Sequence, residues 1–298
     1  MRVVLTGASG LIGQALKARL SADGHETVVL VRRAPGPGEA RWDPSAESIE
    51  SDALEGADAV VHLAGAGIGD KRWTTARKDV ILESRVQSTS LLCGALATLE
   101  RPPAVLVSAS AIGYYGDRGD EELTEASGPG NGFQADVCRA WEKSTAEAEK
   151  ARIRVVHLRS AVVLSRRGGA LGRQLPLFRA GVGGRLGSGR QWFSWISLRD
   201  EVSVILHAIS ETSLVGALNA SAPNPVTNRE FTKELGRVLH RPAVLAVPPV
   251  ALRLALGKQL ADELLLGSLR VLPARLIESG FRFEDATVEG ALREATGR

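Results

Sequence analysis

The amino-terminal part of the chain alternates short apolar runs with longer segments of helical periodicity. Runs rich in valine and leucine predict strands at 2–6, 27–31, 59–65, 104–108 and 153–164. The spacing of apolar residues between these runs predicts helices over 11–24 and 73–99. Because the strand-like runs are nearly continuous rather than alternating, we expect them to be buried on both faces of the sheet. The pattern therefore predicts an α/β fold with a doubly wound parallel Rossmann sheet.

The residue composition of the chain changes after residue 165. The following segment is rich in glycine, arginine and tryptophan, a helical pattern begins near Asp200, and a further strand is predicted at 216–221. We predict a small, mainly helical C-terminal lobe on the substrate side of the sheet. The predicted divisions are an NADP-binding Rossmann core (1–165), a substrate-side loop (166–196), completion of the core (197–241) and the C-terminal lobe (242–298).

Composition limits the classes of function. A chain of 298 residues with 44% hydrophobic residues can form one large α/β domain with an additional lobe. The 37 basic and 34 acidic residues give a net charge of +3, and like charges never form a block of five or six. Without a basic stripe, a nucleic-acid partner is not expected.

The two cysteines and the amino terminus indicate the cellular setting. Cys93 and Cys138 have no metal-binding or redox spacing, which favours reduced thiols and no metal site. The chain opens on a strand pattern rather than a charged leader, and its longest apolar stretch, 242–252, is interrupted by prolines. That stretch is shorter than the roughly 20 residues of a membrane span. We expect a cytoplasmic protein without a membrane partner; no pattern indicates its oligomeric state.

Three glycines at constant spacing join the first strand to the first helix. In "TGASGLIG", Gly7, Gly10 and Gly13 match the dinucleotide-binding layout. The first glycine permits a sharp turn, the second lets the backbone approach a pyrophosphate, and the third allows close packing of the helix. The amino terminus of the helix adds free N–H groups and a positive dipole end. The alternative is a tight turn without a ligand, but the complete strand–turn–helix context favours a coenzyme site.

The end of the second strand indicates which dinucleotide is bound. An acidic residue there would hydrogen-bond the ribose of NAD, whereas arginine accommodates the 2′-phosphate of NADP. Arg32 and Arg33 stand at this position without an acidic neighbour. A guanidinium suits a phosphate because it forms bidentate, charge-assisted hydrogen bonds. The sequence therefore favours NADP(H) over NAD, the alternative being a pair of solvated loop charges.

Motifs along the whole chain point to a known family. "TGASGLIG", "DAVVHLAG" and "SASAIGYYG" resemble the short-chain dehydrogenase/reductase superfamily in its extended, epimerase/dehydratase-like form. "RWTTARKDVILESRVQSTSLL", "GGRLGSGRQWFSWI" and "GSLRVLPARLIESGFRFE" narrow the resemblance to NAD(P)-dependent epimerase-family proteins with a small C-terminal domain of unknown function. The resemblance covers nearly the whole chain. Since members are mostly named by fold, it implies a coenzyme but no particular reaction.

The resemblance also implies a set of coenzyme contacts. They comprise Ser9, Leu11 and Ile12 in the phosphate turn, Arg32 at the 2′-phosphate position, and Leu63, Ala64 and Gly65 in the "HLAG" segment. Arg85 stands where many extended members have asparagine, and Asp43, with its neighbour Trp42, is expected near the adenine. His62 is expected to be a core residue rather than a ligand.

The usual catalytic pair of the superfamily is missing. Extended members are expected to use a serine or threonine with a Tyr-x-x-x-Lys pair, in which the nearby ammonium lowers the tyrosine pKa. No such pair occurs in this chain. Phe133 or Gln134 stands at the approximate place of the tyrosine, and Val137 or Cys138 at that of the lysine. The resemblance therefore does not predict the standard mechanism.

Other polar residues remain as catalytic candidates. Ser110 stands roughly where the superfamily has its serine, and Glu142 could donate a proton if it is buried in its neutral form. Tyr114 and Tyr115 could also line the site. Each has a structural alternative: backbone capping for Ser110, a helix salt bridge for Glu142, and packing for the two tyrosines.

The segment 183–196 carries the substrate-side signal. Its glycines, with Arg185 and Arg190, suggest a loop that closes over an anionic or planar substrate beside Trp192 and Trp195. The favoured alternative is that the tryptophans fill the gap between the sheet and the C-terminal lobe. We expect an NADP(H)-binding epimerase-family protein: an oxidoreductase or epimerase/dehydratase-like enzyme acting on a small molecule, or else a non-catalytic NADP(H) sensor.

Overall fold

Strands and helices alternate along residues 1–298, all of which the computed structural model describes. The strands are β1 (Arg2–Thr6), β2 (Glu26–Val31), β3 (Glu39–Asp43), β4 (Ser48–Ile49), β5 (Ala59–His62), β6 (Val105–Ala111), β7 (Glu122–Leu123), β8 (Arg154–Ser160), β9 (Val162–Leu164), β10 (Gly184–Leu186), β11 (Trp192–Phe193), β12 (Trp195–Ser197), β13 (Gly216–Ala220), β14 (Val226–Thr227), β15 (Leu245–Val247) and β16 (Arg270–Val271). The helices are α1 (Leu11–Ala22), α2 (Thr75–Ala97), α3 (Phe133–Lys143), α4 (Ala146–Lys150), α5 (Gly169–Arg179), α6 (Leu198–Ser210), α7 (Asn228–Leu239), α8 (Pro249–Leu256), α9 (Lys258–Ala261), α10 (Ala274–Glu278) and α11 (Val288–Thr296).

Eight strands form the central sheet in the order β13–β8–β6–β5–β1–β2–β3–β4. Neighbouring strands are parallel except for β3 and β4, which are antiparallel. Because β2 and β5 flank β1, the winding of the chain reverses at β1. In open α/β sheets, ligands bind outside the carboxyl ends of the strands at such a point. The predicted doubly wound parallel sheet is confirmed.

Strand β1 explains why the sequence shows continuous apolar runs. Val3 and Leu5 pack with side chains of α1 and α6, whereas Val4 packs with those of α2 on the opposite face. All three side chains are fully buried. A strand covered on both faces needs apolar residues at every position, which removes the alternation typical of a half-exposed strand.

A separate core forms around the two-stranded sheet of β9 and β12. It joins α5, α7 and α11 around Trp195, which is fully buried. The segment 166–196 is therefore not a loop throughout, because Leu171, Leu175 and Phe178 recur at helical spacing in α5 and are buried in this core. The burial of Trp195 agrees with a gap-filling role for that tryptophan.

The residues from 242 onward form the predicted mainly helical lobe. Short parallel strand pairs connect this lobe to the rest of the chain: β16 pairs with β7, and β15 pairs with β10. None of the helices combines the length and hydrophobicity that crossing a bilayer requires. No three or more His, Cys, Asp or Glu side chains are grouped so as to hold a metal ion.

One carboxyl group is buried beneath the sheet without a cation. Glu201 of α6 is fully buried, and its Oε1 accepts a hydrogen bond of 2.5 Å from the hydroxyl of Ser160. Its Oε2 has no partner. Burial raises the pKa of Glu201 from the ordinary 4.5 to about 7, because the charged form loses its hydration.

Replacing this carboxyl group should change how stability depends on pH. The folded state holds the Glu201 proton up to about pH 7, whereas the unfolded chain releases it near its ordinary pKa. Folding stability is therefore lost as pH rises through that interval, by roughly 3 kcal/mol at most. We expect Glu201→Gln to gain stability over the wild type between pH 5 and pH 8, as measured by urea denaturation at both pH values.

The exposed Glu278→Gln provides the control for the loss of a carboxylate from the C-terminal half. Its stability difference from the wild type should not change with pH in this way. A Glu201→Gln difference that is the same at pH 5 and pH 8 would contradict a buried, protonated Glu201.

Candidate functional site

The turn between β1 and α1 is built by close backbone approaches. Gly7 has a φ of +70°, and a Cβ at this position would lie 2.7 Å from the carbonyl carbon of Leu63. A Cβ on Gly13 would lie 2.3 Å from the carbonyl oxygen of Gly7. Both positions therefore require glycine, the first for the left-handed turn and the second for the seating of α1.

The amino terminus of α1 is left open by its sequence. Its N-cap residue, Gly10, has no side chain to bond the first-turn N–H groups, and no acidic residue lies in that turn. These N–H groups and the helix dipole are thus free to meet an anion. The open helix end, beside a turn that tolerates no side chain at Gly7, fits a bound diphosphate.

A cleft of about 870 Å³ opens in front of this turn. Among the predicted coenzyme residues, those that line it are Gly7, Ser9, Gly10, Arg32, Arg33, Leu63, Ala64 and Gly65. Those that do not line it are Leu11, Ile12, Gly13, Asp43 and Arg85. The structure thus brings the turn, the end of β2 and the segment after β5 together along one groove.

The outer end of the cleft carries four charged side chains. Arg32 and Arg33 follow β2, as the sequence predicted, and Lys17 of α1 and Glu39 of β3 join them. Arg33 donates to both carboxylate oxygens of Glu39, at 2.7 and 2.6 Å. Neither Lys17 nor Glu39 was predicted from the sequence as a cleft residue. Lys17 stands one turn beyond Gly13 and could have been found from helical spacing, whereas Glu39 lies on a strand that the pattern did not predict.

Asp43 is not among the residues that line the cleft. Its carboxylate accepts hydrogen bonds from the backbone N–H and the hydroxyl of Ser45, at 3.2 and 2.6 Å, and so caps the following turn. Trp42, Pro44 and Ser45 line the cleft instead. One of the two Asp43 carboxylate oxygens, Oδ1, is therefore engaged in local structure, and a coenzyme contact by Asp43 stays a prediction.

His62 lies in the core beneath the cleft. Its ring nitrogens face the hydroxyls of Thr6 at 2.7 Å and Thr89 at 3.0 Å, and burial lowers the pKa of His62 to about 4. The indole of Trp141 donates to the same Thr89 hydroxyl at 3.0 Å. A neutral, hydrogen-bonded histidine that ties β1 and β5 to α2 matches the expected core role.

Arg85 is a buried cation behind the "HLAG" segment. One guanidinium nitrogen donates to the carbonyl oxygens of Ala66 and Ile81, at 3.0 and 2.9 Å. The guanidinium lies 4.8 Å from the ring centre of Trp141. Burial lowers the pKa of Arg85 to about 10. Arg85 therefore supports the wall of the cleft from behind and does not line the cavity.

The catalytic candidates meet in one buried polar network. Arg159 of β8 forms a bidentate ion pair with Glu142, with both hydrogen bonds at 2.8 Å. Ser110 donates to the same carboxylate at 2.8 Å. The side chains of Arg159 and Glu142 are only 5% and 11% exposed. The sequence did not indicate Arg159, because nothing in a strand-like run marks an arginine that points toward a helix.

This ion pair corrects the expectation that Glu142 donates a proton. The Glu142 carboxylate accepts three hydrogen bonds, two from the Arg159 guanidinium and one from Ser110, so both of its oxygens are engaged within the protein. Glu142 is thus a structural acceptor in this arrangement, as its salt-bridge alternative proposed, although its partner lies on β8 rather than on its own helix.

The two adjacent tyrosines lie in different surroundings. Tyr115 is fully buried, donates to Asn219 at 2.7 Å and accepts from Arg159 at 3.0 Å. Burial raises the pKa of Tyr115. The position of Tyr115 in the core agrees with its packing alternative rather than with a role in proton transfer. Tyr114 is half-buried, and its ring centre lies 3.4 Å from the Arg159 guanidinium carbon.

The positions of the missing Tyr-x-x-x-Lys pair hold neutral groups. Gln134 lies against Gly113, where its Oε1 is 2.8 Å from the place of an added Cβ. Cys138 is buried, its thiol lies 3.6 Å from the carbonyl oxygen of Ala111, and burial raises its pKa to about 11. Neither residue can exchange protons near neutral pH as the tyrosine and lysine would.

The C-terminal lobe reaches the same end of α3. The carboxylate of Glu263 accepts hydrogen bonds from the backbone N–H groups of Phe133 at 3.2 Å and Gln134 at 3.0 Å. It caps a helix whose own N-cap residue, Gly132, has no side chain. The lobe is therefore anchored at the first turn of α3, beside the position of the missing tyrosine.

The segment 183–196 divides into buried and accessible parts. The indole of Trp192 donates to Asp120 at 2.9 Å. Arg190 is exposed, whereas the buried Nε of Arg185 has no hydrogen-bond partner. Of the four residues singled out in this segment, the two arginines are the ones with donors left for a ligand.

Comparisons with known proteins cover the whole chain. A family model described as NAD dependent epimerase/dehydratase family matches residues 3–219, and one described as domain of unknown function (DUF1731) matches residues 247–295. An epimerase family protein of Mycobacterium bovis is 45% identical over 297 residues, covering 99% of this chain and 98% of that protein.

Two solved structures are similar over the full chain. The crystal structure of human epimerase family protein SDR39U1 with NADPH superposes with a TM-score of 0.93 at 35% identity, covering 100% of both chains. A crystal structure described as the nucleoside-diphosphate sugar epimerase of Corynebacterium glutamicum has a TM-score of 0.82 at 40% identity, covering 100% of this chain and 58% of that one. The resemblance predicted from the motifs is confirmed.

The energetic role of the buried ion pair can be tested by a double-mutant cycle. Glu142→Gln leaves the Arg159 charge buried and unpaired, so we expect it to lower the free energy of unfolding by about 3 kcal/mol. Arg159→Gln should cost far less in the Glu142→Gln background than in the wild type. Urea denaturation of the four proteins measures this coupling.

The exposed pair of Glu147 and Lys150 provides a matched cycle. These groups lie 2.7 Å apart, close to the 2.8 Å of the buried pair, but their side chains are 57% and 73% exposed, so their coupling should stay below about 1 kcal/mol. Additive effects of the Glu142 and Arg159 substitutions would contradict the structural role given to this pair.

Proposed function

The chain belongs to the NAD dependent epimerase/dehydratase family, and from that premise we propose that it is an NADP(H)-dependent oxidoreductase or epimerase-like enzyme acting on a small-molecule substrate. The observation that carries this proposal is the cleft, which extends from the glycine turn to the arginines after β2. A groove with an open helix end at the turn and cations at its outer end suits a phosphorylated dinucleotide.

The residues that hold the coenzyme follow from the lining of the cleft. The backbone around Gly7 and Gly10 faces the diphosphate, and Leu63, Ala64 and Gly65 continue the same wall beside it. Arg32 and Lys17 provide the positive charge for a 2′-phosphate. The similar human protein was crystallised with NADPH, which supports the same choice of coenzyme for this chain.

The chemistry of the proposed enzyme must proceed without a Tyr-x-x-x-Lys pair. Bound NADPH supplies a hydride, and its oxidised form accepts one. Ser110 is the chain's own group for orienting a substrate oxygen. Its hydroxyl can turn away from Glu142, because Arg159 still satisfies that carboxylate with two hydrogen bonds. Ser110 thus offers a neutral hydrogen-bond donor in place of the tyrosine that relatives of this fold are expected to use.

The substrate side favours an anionic small molecule. Arg185 is half-buried and makes no ion pair or hydrogen bond through its guanidinium, so its cationic group is left for an anion. Arg190 adds a second, exposed guanidinium in the same segment. An anionic group of the substrate would pair with these two residues.

A second candidate function is a non-catalytic NADP(H) sensor. It is favoured by the buried Glu142–Arg159 pair, which takes up the carboxylate nearest Ser110, and by the neutral groups at Gln134 and Cys138. Such a protein would bind the coenzyme in the same cleft and turn over no substrate.

The coenzyme assignment predicts the effect of removing one cation. Arg32→Gln should raise the Kd for NADPH about tenfold, because one charge-assisted contact to phosphate is lost. The Kd for NADH should change by less than about twofold. Titration by the fluorescence of the reduced nicotinamide measures both constants. Arg41→Gln, on β3 outside the cleft, is the matched control, and an equal loss for both coenzymes in Arg32→Gln would contradict the assignment.

The two candidate functions differ in turnover. NADPH oxidation at 340 nm, followed across a panel of carbonyl compounds and nucleotide sugars, should reveal a substrate if the protein is an enzyme. Ser110→Ala should then lower kcat about 100-fold without changing the Kd for NADPH, whereas Ser144→Ala at the far end of α3 should not. Tight NADPH binding without turnover of any substrate would favour the sensor.

A further inference from the structure

Glu39 is the one carboxylate among the residues that line the coenzyme cleft. Its two oxygens accept hydrogen bonds from the two terminal nitrogens of Arg33, at 2.6 and 2.7 Å, and one of them also accepts from the backbone N–H of Gly36 at 2.9 Å. The Glu39 side chain is 15% exposed, whereas that of Arg33 is 66% exposed. The carboxylate is therefore held in place by the loop after β2, and the guanidinium covers it from outside.

This ion pair occupies the groups that a phosphate would use. The planar fork of an arginine binds a carboxylate and a phosphate with the same two parallel N–H bonds. With Glu39 in the fork, Arg33 has no free pair of donors on that edge. The hydrogen bond from Arg33 lowers the pKa of Glu39, so the carboxylate is charged near neutral pH.

A 2′-phosphate at this end of the cleft meets two opposing effects. It is attracted by Lys17 and Arg32, for which the structure records no ion pair, and repelled by Glu39, which also competes with it for Arg33. An unphosphorylated ribose meets neither the competition nor the repulsion, since a hydroxyl carries no charge. The two coenzymes therefore respond differently to the charge of this single carboxylate.

We propose that Glu39 is the residue that limits coenzyme selectivity, because it competes with the 2′-phosphate of NADP(H) for the guanidinium of Arg33. The proposal rests on the proposed function, in that it assumes a nicotinamide dinucleotide in this cleft. It assigns Arg33 two alternative partners. Arg33 pairs with Glu39 when NAD(H) is bound, and with the 2′-phosphate when NADP(H) is bound.

The test is the binding of NADPH and NADH to Glu39→Gln. Glutamine keeps the size of the side chain and an acceptor for the Gly36 N–H, but it removes the charge that holds the Arg33 fork. We expect the Kd for NADPH to fall about tenfold and the Kd for NADH to change by less than about twofold. The gain should shrink at high ionic strength, because exposed charges are screened by salt. Equal shifts for the two coenzymes, or no shift, would overturn the proposal.

A second background separates competition from simple repulsion. In Arg33→Gln there is no guanidinium to compete for, so adding Glu39→Gln should improve NADPH binding by no more than about threefold. A full tenfold gain in that background would overturn competition as the cause. Glu47→Gln, in the exposed turn between β3 and β4 and outside the cleft, makes the same change in net charge and should leave both Kd values unchanged.

The wild-type measurements keep the two proposals apart. If the wild type binds neither NADPH nor NADH, the proposed function fails. If it binds them and Glu39→Gln leaves their ratio unchanged, only the role of Glu39 fails. Thermal unfolding of each variant without coenzyme shows whether a change in Kd reflects a change in folding.

Discussion

The closeness of two stretches of backbone at the first turn sets the geometry of the whole ligand-binding edge. A Cβ on Gly7 would lie 2.7 Å from Leu63, and a Cβ on Gly13 would lie 2.3 Å from the Gly7 carbonyl. With no side chains between them, α1, the end of β1 and the segment after β5 form one continuous wall. The open amino terminus of α1 then meets the cleft, and the cations after β2 line the same cleft.

The buried polar network around Glu142 and Arg159 follows a different principle. Where relatives of this fold are expected to use a titrating tyrosine and lysine, this chain has an ion pair of Glu142 and Arg159 that is almost excluded from water. The pair connects α3 to β8, and hydrogen bonds extend it to Ser110 on β6 and, through Tyr115, to Asn219 on β13. Its contribution is to position the surrounding groups, since both Glu142 oxygens are taken up by hydrogen bonds from Arg159 and Ser110.

The central sheet and the phosphate turn could be predicted from the sequence, because both depend on local patterns of residues. β1 falls at the predicted residues, and α2 lies within its predicted range. The pattern missed β3, in which charged residues interrupt the apolar ones, and with it the carboxylate of Glu39. It also missed α5, whose glycines and proline obscure the helical spacing. Arg159 shows a further limit: the direction in which a side chain points depends on tertiary contacts that a one-dimensional pattern does not contain.

The cap that Glu263 places on α3 has a consequence for how this chain can be divided. The two segments that match separate family descriptions, 3–219 and 247–295, are not exchangeable modules. The carboxylate of the second completes a helix of the first, and α11 shares a core with α5 and α7. A recombinant chain that took its small lobe from another family member would need a matching first turn of α3 and a matching α5 surface. The lobe and the sheet are therefore constrained to diverge together.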